Sequence, residues 1–313
     1  ISNIALIIRS LTQWVKSQGG KPFIVPAMGS HGGATAEGQL EVLRGYGITE
    51  EDLDCPILSS METVHIGDTC EGHHVRIDKN AFEADGIIVA GRVKPHTGFR
   101  GKYESGIMKM MTIGLGKQEG AEVCHATGFG KMGHLVPLFG NVILEKANIL
   151  MGFAIIENAY DETCMLEPLT VEEIPKAEPE LLNKARSLMP RILFDSVDVL
   201  VIDKIGKNFS GDGHDPNISG RFITPYATGG IDSQRMVVLD LSDESHGNAC
   251  GVGLADIITQ RLKDKIDLEM TYPNVITSTV LKAANIPVTV DNDADAIRLA
   301  IRTCTEGDRT RPK

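Results

Sequence analysis

Four residues could move protons, anchor a group or bind a metal, and each sits in a glycine-rich or apolar setting. His31 lies in "PAMGSHGGAT", with Gly29, Gly32 and Gly33 around it, at the end of the apolar run "KPFIVPAM". His96 lies in "RVKPHTGFRG", after the apolar run "GIIVAG". Histidine is the side chain best suited to moving protons near neutral pH. One on each side of a substrate would suit an enzyme that works on both faces of a carbon. The plainer alternative for each is a loop histidine bonded to a nearby carbonyl. Lys109 interrupts the run "IMKMM". It is either a lysine reaching out to solvent or a desolvated, reactive amine. His125 closes the helical stretch "KQEGAEVCHATG". It can ligate a metal only with donors from elsewhere, because neither H-E-x-x-H nor paired C-x-x-C occurs. The nearest thing to a protein-only metal cluster is "CEGHH" (Cys70, His73, His74), which reads as a hairpin turn. A metallohydrolase would have to rest on it.

Two further stretches look built for an anion. A strand, the glycines Gly32 and Gly33 and a helix start would present free backbone N–H groups and a helix dipole, although the pattern is neither G-x-G-x-x-G nor a Walker A motif. Residues 91–125 hold Lys94, His96, Arg100, Lys102, Lys109, Lys117 and His125, with seven glycines from Gly91 to Gly120. In the second half, "DKIGKNFSGDGHDPNISGR" crowds Lys204, Lys207, Asn208, Asp212, His214, Asp215, Asn217 and Arg221 into one Gly-rich loop. Asp and Asn turns would explain such a loop as surface. Its length and its many polar groups favour a binding role.

The elements that must carry these residues follow from hydrophobic spacing. Residues 2–17 are helical and stop at Gly19-Gly20. "KPFIVPAM" reads as a buried strand, and a helix then starts with Thr35 as its N-cap. Strand-like runs recur at "GIIVAG", "MGFAIIE", "DVLVI" and "MVVLDL". Helical patterns lie between them, among them an exposed, charged helix in "PKAEPELLNKARSLMPRI". Alternation of this kind specifies an α/β fold. The expectation is two three-layer α/β domains with mostly parallel sheets flanking a cleft. Their bounds would be 1–190 and 191–313, with the last helix free to return to the first domain. In such sheets, ligands bind beyond the carboxyl ends of the strands.

Composition narrows the partners. The 313 residues carry a net charge of −11, which argues against a nucleic-acid or anionic-membrane surface. No apolar run approaches the ~20 residues of a membrane span, and no signal-peptide pattern opens the sequence. Six scattered cysteines without C-x-x-C read as reduced, cytoplasmic thiols. Ile1 leads directly into a helical pattern, so the natural chain is expected to start earlier.

Taken in order, the Gly-flanked histidine, the K-P-H-x-G-F loop, a lysine and a histidine sixteen positions after it form a pattern. It resembles the nickel-dependent lactate racemase superfamily of 2-hydroxyacid racemases and epimerases, chiefly over residues 20–160. The resemblance implies that His31 and His96 are the two proton-transferring histidines. It implies that Lys109 tethers the family's nickel-pincer nucleotide, a pyridinium-3,5-bisthiocarboxylic acid mononucleotide holding nickel, and that His125 is the protein ligand to the nickel. Gly32, Gly33, Lys94, Arg100 and Lys102 would hold the nucleotide. One histidine would take the hydroxyl proton while the Cα hydrogen leaves as hydride to the pyridinium. The planar 2-keto acid would be reduced on its other face, and the opposite histidine would return a proton.

The chain also departs from the family. Twelve residues separate His96 from Lys109, which makes Lys102 a rival anchor, and the proline that follows the family's lysine is absent. The family's upstream Asp/Arg motif would fall before Ile1. "GDGHDPNISGR" replaces the usual second-domain loop, so Asn217, Lys207 and Arg221 are the candidate substrate contacts, Arg221 as a carboxylate clamp. A larger or more polar 2-hydroxy acid than lactate is therefore expected as the small-molecule partner, and a homodimer is allowed but not specified. The competing reading is a non-catalytic module that holds an anionic nucleotide or sugar acid.

Overall fold

The computed structural model describes residues 1–305. The chain forms two compact units, and it enters the second one twice. Unit one comprises Ile1–Pro95 and Gly101–Met189, and unit two comprises His96–Arg100 and the chain from Pro190 onward.

Unit one begins with helix α1 (Ile4–Ser17), helix α2 (Ala36–Gly45) and the short α3 (Glu50–Leu53). A hairpin of β1 (Thr63–Asp68) and β2 (His74–Asp78) follows, then α4 (Lys79–Phe82) and strand β3 (Ile87–Arg92). The Met-rich run forms a short helix α5 (Ile107–Lys109) that continues as a π-helical turn over Met110–Gly114. Next come α6 (Lys117–Ala126), α7 (Phe129–Lys146), β4 (Ile149–Glu157), β5 (Thr163–Leu169) and α8 (Ile174–Leu188). Strand β3 pairs parallel with β4, and β4 antiparallel with β5. The core here is the Met-rich run itself. Ile107, Met108 and Met111 are fully buried, as are Met132, Leu135, Phe139 and Ile143 of α7 and Ile155 and Ile156 of β4. At roughly 1.5–3 kcal/mol per large apolar side chain, this packing fixes the segment that carries Lys109.

Unit two holds β6 (Ser196–Ile205), the single turn α9 (Pro216–Ser219), β7 (Asp232–Leu241), β8 (Ile257–Thr259), α10 (Gln260–Asp264), α11 (Leu268–Ser278), β9 (Val288–Val290) and α12 (Asp293–Thr303). Its four strands are all parallel, in the order β6-β7-β8-β9. The period-2 alternation of β7 splits the core. Met236 and Val238 join Leu262 and Val275 on one face, whereas Val237 and Leu239 join Ala296 and Ala300 on the other. Helix α12, for which a return to the first unit was open, packs against the sheet of its own unit.

One sequence expectation needs correction. "KPFIVPAM" forms no strand, only a single parallel bridge between Ile24 and Ile57. Pro22 and Pro26 remove two of the N–H donors that a ladder would need. The α/β fold expected from the sequence is the one observed, with a mixed sheet in unit one, where β3 and β4 run parallel and β5 joins them antiparallel. Among the described residues, no helix is long and apolar enough to cross a membrane, and all six cysteines are free thiols.

Candidate functional site

The His31 turn is held from beneath. Gln39, fully buried on α2, donates from Nε2 to the carbonyls of Gly29 (2.9 Å) and His31 (3.3 Å). Its own Oε1 accepts from Lys117 Nζ (3.3 Å), which also donates to the Pro26 carbonyl. Lys117 is buried together with Asp78, 3.3 Å away. Desolvation lowers the Lys117 pKa, and the Asp78 carboxylate opposes that shift. Asp78 in turn caps α4 through the Ala81 N–H (2.8 Å). Gly32 is at φ +67, and a Cβ there would lie 2.5 Å from the backbone of Gly38. That glycine serves close backbone packing, while Gly33 next to it opens onto free space.

Within this frame His31 has a fixed tautomer. Its Nδ1 lies 2.6 Å from the Met28 carbonyl, which can only accept. Nδ1 therefore carries the proton and Nε2 is the basic nitrogen. His96 has the opposite arrangement. Its Nδ1 accepts from the Gly98 N–H (2.9 Å), so the proton of the neutral ring is on Nε2.

Lys109 is half-buried, and desolvation, with a smaller contribution from the charge of Lys94, lowers its pKa to about 8. The π-helical turn directly after Lys109 is a geometry that recurs at functional sites. The start of its helix is held by Glu178 on α8, which is 1% exposed. Glu178 Oε2 accepts from the Met108 N–H (3.0 Å). Burial drives the Glu178 pKa up to about 7 against the stabilising N–H groups of Met108 and Ile107. His125 lies at the end of α6 with its ring edge-on to Phe129 (5.6 Å). Its Nδ1 is buried and has no hydrogen-bond partner. Burial first, then the charges of Lys109 and His31, lowers its pKa and favours the neutral imidazole.

His31, Lys109, His125 and Lys94 therefore all belong to unit one, and the first three are close enough for the charges of His31 and Lys109 to act on His125. His96 and Arg100 belong to unit two. Arg100 donates to the His96 carbonyl (2.6 Å), to Asn217 Oδ1 (2.5 Å) and to the Thr228 carbonyl (2.8 Å), and it lies over the Phe222 ring. It staples the His96 loop to its own unit. Lys102, the rival anchor, is exposed over the Tyr103 ring.

The candidate substrate contacts of unit two have partners inside it. Lys207 Nζ donates to the Gly211 carbonyl (2.6 Å). Asn217 Nδ2 donates to Asp215 Oδ1 (2.9 Å). The Arg221 guanidinium, expected as a carboxylate clamp, is taken up by Asp256 (2.9 Å) and the carbonyls of Ser233 and Gln234. His214 is buried, paired with Ser219 (2.9 Å), and its pKa falls to about 4 through desolvation. Sequence reasoning missed Gln39, Asp78 and Glu178. Only Glu178 left a signal: it continues the buried stripe Ile174, Glu178, Leu182 and Ala185 at helical spacing, on a helix read as exposed.

Residues 2–133 match the family model described as the lactate racemase N-terminal domain. Among solved structures, the lactate racemase apoprotein from Thermoanaerobacterium thermosaccharolyticum aligns with 89% of this chain and 69% of its own. The identity is 18% and the TM-score 0.50. A protein from Thermotoga maritima aligns with 99% of this chain and 84% of its own, at 14% identity and a TM-score of 0.54. These structural likenesses concern the fold. No curated protein matches the chain.

Proposed function

With residues 2–133 belonging to the lactate racemase N-terminal domain family and the two-domain α/β fold lactate racemase-like, we propose that this chain is an isomerase. It would be a racemase or epimerase of a 2-hydroxy acid larger or more polar than lactate, working with a nickel-pincer nucleotide. The observation that carries the reading is the grouping in unit one of a histidine with a basic Nε2 (His31), a lysine near neutrality (Lys109) and a histidine with a buried, unpartnered nitrogen (His125).

These residues fit the cofactor. The neutral fraction of Lys109 is what a covalent tether to an acyl group needs. His125 offers a neutral nitrogen for a metal, and its orphaned Nδ1 is the kind of buried polar atom that an absent partner explains. Lys94 adds positive charge beside Lys109 for an anionic group. When bound, the nucleotide supplies the hydride-accepting ring, a chemistry that no amino-acid side chain offers.

The protein's own part is proton traffic. His31 Nε2 takes the hydroxyl proton of one enantiomer as its oxygen becomes a carbonyl. His96, in its imidazolium form, donates a proton to the oxygen when the other enantiomer forms and is left as the neutral ring.

The test is expression together with the enzymes that make the cofactor, followed by chiral chromatography over a panel of 2-hydroxy acids. Racemisation of a polar acid, with loss of activity in His31→Ala and His96→Ala, is the expected result. The product formed in D2O should carry no deuterium at Cα, because the hydrogen returns internally. Deuterium at Cα would mean proton abstraction instead. A preparation with about one nickel per chain that racemises no acid would leave only a binding module.

A further inference from the structure

The β1–β2 hairpin carries a second constellation, separate from His31, Lys109 and His125. Strand pairing sets Asp68 opposite His74 and His65 opposite Arg76. In a regular strand His65 and Asp68, three residues apart, would point to opposite faces. Here the register slips between His65 and Gly67, so Ile66 is the extra residue of a bulge. Gly67, at φ +151, takes the backbone conformation that this needs. The bulge turns His65 onto the face of Asp68 and His74. Val75 and Ile77 fill the opposite face and are fully buried.

Three donor atoms converge as a result. His65 Nε2 lies 2.8 Å and His74 Nδ1 2.6 Å from the same oxygen, Asp68 Oδ1. All three ligand atoms fall within 4.8 Å of one another. The two rings meet edge to face at 5.1 Å. The hairpin is anchored to α7, where His134 pairs with Glu71 (2.6 Å) and the ring of Phe139 stacks on His73. The remaining charge on the ligating face, Arg76, is directed to Thr63 and Glu119. Of "CEGHH", only His74 belongs to this cluster. Cys70 and His73 give way to His65 and Asp68, which the local sequence did not flag.

We propose that His65, Asp68 and His74 form a surface site for one divalent ion of the nickel, copper and zinc class. Two imidazoles and one carboxylate are the donor set that late first-row ions prefer over magnesium or calcium. All three side chains are exposed, so water completes the coordination shell and the ion is exchangeable. Binding shifts each ring proton to its other nitrogen or releases it to water. The site is independent of the catalytic reading and survives if that reading fails.

The experiment uses the untagged chain, stripped with a chelator and titrated with zinc chloride alone in a calorimeter. One equivalent should bind to the wild type and to His125→Ala, and no equivalent should bind at this affinity to His65→Ala/His74→Ala. Asp68→Asn should weaken binding by about tenfold or more, on the scale of losing one supporting ligand. Magnesium chloride should give no binding. With copper(II) as probe, the electron paramagnetic resonance spectrum of the wild type should show coupling to two imidazole nitrogens that the double variant lacks. Because these side chains are exposed, an unchanged circular dichroism melt should confirm that each variant folds. Zinc binding by the double variant equal to that of the wild type, or zinc lost only in His125→Ala, would overturn the proposal.

Discussion

Lys109 and His31 show what single residues contribute. The amine of Lys109 has a pKa of about 8 because it is desolvated and lies near Lys94. Below that pH it is an ammonium, and above it an increasing fraction is a nucleophile. Competitive labelling with an amine-specific reagent, read by mass spectrometry, should therefore give half-maximal modification of Lys109 near pH 8. Lys94→Met should move that midpoint upward by removing a like charge. A Lys109 midpoint near that of an ordinary surface lysine, about 10.4, would remove the basis for a reactive anchor. The tautomers of the two histidines are equally open to measurement. Long-range proton–nitrogen correlation spectra near neutral pH should find the proton of His31 on Nδ1 and that of His96 on Nε2. The same tautomer in both rings would contradict these two hydrogen-bond assignments. Of these features, the sequence could reveal the histidines and the lysine by their setting. Tautomers and desolvation depend on Met28, Gly98 and Lys94 lying in particular places, which one-dimensional spacing does not encode.

At the level of elements, a polar group buried beneath the short helix α5 and a glycine at a close backbone approach hold Lys109 and His31 in place. Glu178 holds the N–H groups at the start of α5 from a different helix, α8. Its pKa in the folded chain, about 7, lies above its unfolded value near 4.5. Between those values the folded state binds more protons than the unfolded state, so stability falls as pH rises through this window and levels off above it. Glu178→Gln keeps an acceptor for Met108 but cannot ionise. Chemical denaturation at pH 5 and pH 8 should show the wild type losing more stability with rising pH than the variant, and an equal loss in both would refute the assignment. Gly32→Ala forces a side chain into the backbone of Gly38 at a positive φ. It should cost about 1–3 kcal/mol and loosen the His31 turn, measurable as a lower denaturation midpoint. A midpoint equal to the wild type would show that the turn tolerates a Cβ. The periodic elements were legible in advance: α1, α2 with its Thr35 cap, α6, and strands β3, β4, β6 and β7 all follow from apolar spacing and caps. The failed strand at 21–28 shows the limit, because two prolines override an apolar pattern. Glu178 shows another, since a charged residue on a buried stripe looks like surface until its partner N–H groups are known.

On the scale of the whole molecule, the chain path is informative. The sequence divides once near residue 190 by pattern, and nothing local announces that His96–Arg100 leaves unit one to join unit two. The partners that hold this excursion lie more than 100 residues further on. The Arg100 N–H donates to the Tyr226 carbonyl (3.0 Å), Thr224 Oγ1 donates to the Gly98 carbonyl, and the Arg100 guanidinium reaches Asn217 and Thr228. Unit two is therefore incomplete without five residues from the middle of unit one's sequence. The segment that joins the two sequence halves is exposed, with Leu193 and Phe194 at 84% and 69% of full accessibility. Chymotrypsin should cleave there, giving fragments of about 1–194 and 195 onward, on the rule that exposed loop tips are nicked first. The His96 loop stays on the first fragment, and its hydrogen-bond partners are on the second. The nicked wild type should therefore elute from a sizing column as one species, and urea should separate the fragments at a concentration that Arg100→Ala lowers. Fragments that part without denaturant, or that part at the same urea concentration in both proteins, would show that the excursion contributes nothing to holding unit two together.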